Sequence, residues 1–155
     1  MLERILPRQI DNRYPGLRVG LWVFGLLVLI RLAMGANIMI NTRSIAEGAD
    51  GIPLDSYGAG GAGAVISLFA LLGLSKLVIG LLGLIALIRY RAMIPLILLL
   101  MLAEHGASRA LVLARPIVRS EGDAPGSTIN MILLALLLIG LVLSLWRPAR
   151  DRDAA

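Results

Sequence analysis

The stretch LLLMLAEHGASRALVLA (Leu98–Ala114) places a carboxylate, an imidazole, a hydroxyl and a guanidinium in a run otherwise apolar enough for lipid. On a helix, residues advance by about 100° each, so Glu104, His105, Ser108 and Arg109 share one arc and Ala103, Gly106, Ala107 and Ala110 the roughly opposite one. The polar arc has groups for binding an anion, carrying a proton or hydrogen-bonding inside a bundle. Two further cations, Arg31 and Lys76, stand in other apolar runs.

Other chemistries find little support. One histidine, no cysteine and a single nearby carboxylate fall short of the three or four ligands of a metal site, and HExxH is missing. No serine has an evident histidine partner for nucleophilic catalysis, so no catalytic residue is assigned. The glycines of NTRSIAEGADGIPLDSYGAGG (Asn41–Gly61) lack the GK[ST] ending of a phosphate loop and read as a flexible linker or lid.

The elements that must position these groups follow from composition. Of 155 residues, 58% are hydrophobic and 16% charged, with a mean hydropathy of +0.86. Four apolar stretches, approximately Leu17–Ile40, Ala62–Ile88, Ala92–Leu113 and Thr128–Trp146, each reach the ~20 residues a helix needs to cross ~30 Å of hydrocarbon. The expected fold is all-α, a polytopic membrane four-helix bundle forming one domain over residues 1–155. The cofactor, if any, is not legible.

Orientation follows from the short connections, because Lys and Arg accumulate on the cytoplasmic side. Arg4, Arg8, Arg13, Arg18, Arg89, Arg91, Arg147, Arg150 and Arg152 fall at one end. The other end carries Arg43, Arg115 and Arg119 against Glu47, Asp50, Asp55, Glu121 and Asp123. Both termini are therefore expected in the cytoplasm. Tyr14, Trp22, Tyr90 and Trp146 lie near that same interface, where amphipathic rings prefer to sit. The first apolar run is too long for a secretory signal core and contains Arg31, so it reads as an uncleaved helix. No nucleic-acid motif accompanies the scattered arginines.

Within the second run, Phe69, Gly73, Lys76, Gly80 and Gly83 recur at three- and four-residue spacing and should face inward, since small residues let membrane helices approach. The fourth run has no ionisable group before Arg147 and reads as a wall, not a site. The third is expected to be the central helix, little exposed in its outer half. IRYRAMIP (Ile88–Pro95) is short enough to force an antiparallel hairpin, with Pro95 tolerated in the first helical turn.

Counted by depth, Arg31, Lys76, Glu104 and His105 share one layer, with Arg109 nearer the outer face. Each midplane charge costs roughly 2.5–3.5 kcal/mol if it faces lipid alone, so these groups must meet one another, water or a ligand. Three cations against Glu104 leave +2, which is relieved by Lys76 giving up its proton, by water at Arg109, or by an anionic or polar guest.

IRLAMG (Ile30–Gly35), GIP (Gly51–Pro53), GLLGLIALIRYR (Gly80–Arg91) and the polar group at His105 resemble the DoxX-like four-helix membrane proteins and related small families, over roughly Leu21–Leu113. Lys76 stands where an acidic residue is expected in many of them. The resemblance implies a four-helix bundle in a bacterial plasma membrane, in some cases with respiratory or sulfur-linked redox partners; it supplies no catalytic residues.

Two functions are compatible with these residues. The first is an accessory or binding protein, with Arg31, Lys76, Glu104, His105 and Arg109 lining a pocket for a lipid-like or quinone-like ligand or a small anion, alone or with a membrane-protein partner or a second copy. The alternative is a small proton-coupled transporter using Glu104 or His105, working as an oligomer. A membrane enzyme acting on lipid or quinone has no motif to support it.

Overall fold

The computed structural model describes residues 5–116 and 125–146. Four helices account for most of them: α1 (Arg18–Ile40), α2 (Ala59–Arg89), α3 (Ile94–Ala114) and α4 (Pro125–Leu145). No strand occurs among the described residues. All four helices are long and apolar enough to cross a membrane, the architecture of a multi-pass membrane protein. Arg4, Arg119, Glu121, Asp123, Arg147, Arg150 and Arg152, part of the orientation count, lie outside the described residues.

Helix ends are closed by backbone and side-chain groups that replace the missing intrahelical partners. Ahead of α1, the Leu17 N–H donates to the Leu143 carbonyl of α4 at 3.1 Å, and at its far end the Asn41 backbone N–H donates to the Asn37 carbonyl at 2.8 Å and the Thr42 hydroxyl to the Ile38 carbonyl at 2.7 Å. The end of α2 is covered by Arg91, whose Nε donates to the Leu87 carbonyl at 3.0 Å. A single 3-10 turn, Arg91–Met93, then leads into α3, with Pro95 in its first turn, where a missing amide costs little.

Helix α1 packs most extensively against α2 and also against α4; α3 packs mainly on α4 and only lightly on α2. The α1–α2 seam is set by small residues. A Cβ on Gly35 would lie 2.7 Å from the Leu77 backbone nitrogen and 3.0 Å from the Gly73 carbonyl oxygen, so the two backbones touch there. Gly73, Gly80 and Gly83 are buried on the same face of α2, receiving Ile38, Leu32 and Val28 of α1. Side-chain packing between close backbones supplies association energy that lipid, as apolar as leucine, cannot.

The apolar core lies in the half of the bundle nearer the N-terminal segment. Phe24, Val28, Ile94, Leu98 and Met101 are essentially inaccessible there. This corrects the expectation that α3 is central: no residue of α3 beyond His105 is buried, and Gly106 has open space beside it. The central helix is α1, because Gly35 and the α2 glycines draw that pair together, whereas the alanines of α3 meet no neighbour of matching shape.

The long connection is also more ordered than a linker. Thr42–Ser44 forms a helical turn, Ile45–Ala49 a wider π turn and Leu54–Ser56 a 3-10 turn. Ala46, Ile52 and Leu54 are buried and pack against Val65, Ile66 and Phe69 of α2, making a small second core. The reversal that seats Ile52 needs Gly51, which has φ 69°, a region that side-chain-bearing residues rarely adopt. Arg43 ties the cap together, reaching Glu47 at 3.1 Å and Asp55 at 2.6 Å. The cap also docks on the start of α4, where a Cβ on Gly126 would lie 2.8 Å from the Ala49 carbonyl oxygen.

Candidate functional site

Between the apolar core and the cap, one turn of each helix carries polar groups. Arg31 follows Val28 by three residues on the buried face of α1, so the periodicity that buries the core buries the guanidinium as well. Its Nη2 donates to Oε2 of Glu104 on α3. Lys76, between Gly73 and Gly80 on α2, brings its Nζ to 4.0 Å from Oε1 of the same carboxylate. Both oxygens of Glu104 thus face cations. Side-chain exposure is 10% for Arg31, 12% for Lys76 and 27% for Glu104, so the carboxylate is the most accessible member. It sits where α2 and α3 pack lightly.

His105 is buried next to Glu104 and bonds across to α4, with Nε2 3.1 Å from the Asn130 carbonyl oxygen. A carbonyl only accepts, so Nε2 carries the proton and Nδ1 of the neutral ring keeps its lone pair. The fourth helix therefore belongs to the site, contrary to its reading as a plain wall. It contributes the Asn130 carbonyl and, through Leu133 and Leu137, part of a cavity wall. A backbone carbonyl leaves no mark in composition, which is why Asn130 escaped sequence reasoning.

That cavity measures about 20 Å³ and is lined by Arg31, Lys76 and His105 together with apolar side chains that include Leu27, Met101 and Leu133. The Nε of Arg31 is fully buried and has no hydrogen-bond partner among the described residues. An unpaired buried donor costs more than an average hydrogen bond contributes, so this N–H is an unmet demand inside the layer.

Of the five expected site residues, the fold gathers four: Arg31, Lys76, Glu104 and His105. Arg109 lies one turn further out, half-buried, and neither lines the cavity nor pairs with a described residue. A carboxylate that sequence reasoning placed only in the outer loop, Asp50, acts on Lys76 electrostatically from the cap. Among the described residues no three His, Cys, Asp or Glu side chains gather as a metal site would require. The layer can hold a negative or strongly polar group, or pass a proton.

Comparison with protein-family models, with curated proteins and with solved structures returns no match for this chain.

Proposed function

We propose that this is a non-enzymatic accessory or binding protein of a bacterial plasma membrane, whose cation-rich layer receives an anionic or polar guest. Arg31 and Lys76 supply the attraction, Glu104 positions both, and Arg109 extends the positive field outward. The observation that carries the reading is the imbalance at Glu104, where two cations share one carboxylate and Arg31 keeps a buried N–H unsatisfied. In surroundings of low polarity such an excess is costly without a compensating charge. A lipid headgroup, a quinone ring or a small anion would each provide an acceptor, with the lightly packed α2–α3 side as the lateral entrance for the first two. The resemblance to DoxX-like proteins supports the four-helix, bacterial part of the reading.

The N-in, C-in orientation belongs to the same proposal. At the end where α1 starts, Arg8 and Arg13 line an open cleft of about 420 Å³ together with Asp11, which lies 3.8 Å from Arg13 Nε, and Arg18, Arg89 and Arg91 stand at that end of the helices, leaving basic residues in excess there. Such a basic rim suits the anionic cytoplasmic leaflet. Since the chain has no cysteine, single substitutions Gln9→Cys and Asp55→Cys test it: in intact cells a membrane-impermeant maleimide should modify only the second.

Native mass spectrometry of the wild type in mild detergent, beside Lys76→Met and Arg109→Gln, tests the binding role. A stoichiometric lipid, quinone or anion that is lost in Lys76→Met is the expected result, with Arg109→Gln reporting on the outward field alone; an identical adduct in the wild type and Lys76→Met would refute it. His105 favours a second reading, since its neutral ring keeps a basic nitrogen in the same layer: proton-coupled transport, working as an oligomer. Proteoliposome flux indifferent to both Glu104→Gln and His105→Ala would exclude that version.

A further inference from the structure

We propose that Asp50 latches the cap to the polar layer by standing in for the anionic guest, so that the seated cap and a bound anion compete for Lys76. This rests on the guest reading above and adds its regulation. Position is the first argument. Asp50 occupies the tip of a reversal held on both sides. Its N–H closes the π turn Ile45–Ala49 by donating to the Ile45 carbonyl at 3.1 Å, and the Ile52 N–H returns to the Ala46 carbonyl at 2.9 Å. Gly51, at φ 69°, makes the turn between them, and buried Ala46 and Ile52 fix the two arms on α2. The tip meets α4 where a Cβ on Gly126 would lie 3.2 Å from Asp50 Oδ1. A carboxylate is favoured there, at the first turn of a helix.

Charge is the second. Phe69, Gly73 and Lys76 follow one another at spacings of four and three, so a residue that receives the cap core and the lysine of the layer share a face of α2. Among the described residues, the charges acting on Lys76 are Glu104, Arg31 and Asp50. With the cap seated, Arg31 and Lys76 are matched by Glu104 and Asp50, two against two. With the cap lifted, both cations return to one carboxylate, and an unmatched cation in surroundings of low polarity is the costlier state. An anion at Lys76 supplies the charge that Asp50 takes away.

Support is the third. Glu104 is carried by a membrane helix, whereas Asp50 rides on a cap with only a small core of its own, which can open locally. Linkage is reciprocal, so whatever lifts the cap strengthens anion binding by the factor with which the anion loosens the cap.

The test is hydrogen exchange over Thr42–Tyr57 in the full-length protein in detergent micelles. Asp50→Asn and Lys76→Met should each accelerate it by about fivefold or more, and the double variant no further than Asp50→Asn. Lys76→Arg should keep the wild-type rate, and amides around Phe24 and Leu98 should stay protected throughout. Phosphatidylglycerol in the micelle, or inorganic phosphate at matched ionic strength, should accelerate the wild-type cap and leave Asp50→Asn unchanged; which of the two acts tells a lipid headgroup from a free anion. Leu54→Ala, which opens the cap without touching a charge, should bind that probe about fivefold more tightly. A wild-type rate in Lys76→Met overturns the proposal and confines Asp50 to its contact with α4, and a cap indifferent to both probes overturns it as well. In either case, a guest still lost on Lys76→Met in native mass spectrometry leaves the guest reading standing, and no such loss removes both.

Discussion

Arg31 on α1 and Glu104 on α3 form an ion pair across the bundle, joining two helices whose backbones barely touch. Most of the apolar contact lies on one side of this pair, and the small core of the cap lies on the other. The pair therefore holds α3 in place at the level where its own burial ends.

Removing one partner should be far worse than removing both. Glu104→Ala leaves Arg31 and Lys76 facing each other, and breaking a buried pair in this way costs about 3–5 kcal/mol. The lower part of that range is expected, because Glu104 is 27% exposed. The double variant Arg31→Met, Glu104→Met should recover much of the loss. Equilibrium unfolding in mixed micelles measures both.

Two glycines should respond in opposite directions to the same substitution. Gly35→Ala puts a methyl 2.7 Å from the Leu77 backbone nitrogen, an atom that moves only with its helix, and overpacking of this kind costs about 1–3 kcal/mol. Gly106→Ala meets nothing within 4 Å and gains helix propensity, about 1 kcal/mol in favour of the variant. Thermal denaturation in detergent should show Tm falling in the first and holding or rising in the second.

The cap should open independently of the bundle. Leu54 is 1% exposed, and truncation to alanine removes a principal apolar contact of a three-residue core, a loss of about 2–4 kcal/mol. In Leu54→Ala, hydrogen exchange should accelerate over Thr42–Tyr57 while the amides around Phe24 and Leu98 keep their protection. Equal acceleration in both regions would mean that cap and bundle unfold as one unit.

Tyr14 should make stability fall at alkaline pH. Burial pushes its phenol above the ordinary value of 10.0, and the neighbouring Ser144 hydroxyl offsets part of that. With the folded pKa raised, the stabilisation is fully present below the unfolded value and is lost as pH rises through the folded one. The wild type should therefore lose stability above about pH 10 more steeply than Tyr14→Phe, as read from Tm against pH.

The helices were legible because each depends on a local pattern. Apolar length places α1 to α4 within a few residues of their observed limits, and the spacing of Gly73, Gly80 and Gly83 marks the buried face of α2. The site was legible in part. Depth counting brings Arg31, Lys76, Glu104 and His105 to one level, since rise per residue is fixed, but depth carries no azimuth between helices. Arg109 shares the polar arc of α3 and still falls outside the cavity, because one turn along a helix is about 5.4 Å. The order in the cap was missed because it depends on Ile52 and Leu54 meeting Val65, Ile66 and Phe69, a contact that no local spacing encodes.

By itself, the sequence determined the number and length of the membrane-crossing helices, the excess of cations among their apolar residues, and the level at which those cations lie. All three follow from transfer energetics and helix rise, which act residue by residue. Only the tertiary structure decided that α1 and not α3 is central, that Glu104 serves Arg31 and Lys76 together, that His105 turns to a carbonyl of α4, and that Arg31, Lys76 and His105 share the wall of one small cavity. Those outcomes depend on which helix faces fit closely enough to touch. At the α1–α2 seam the fit is set by Gly35 against Gly73 and Leu77, where the absence of a side chain lets two backbones meet.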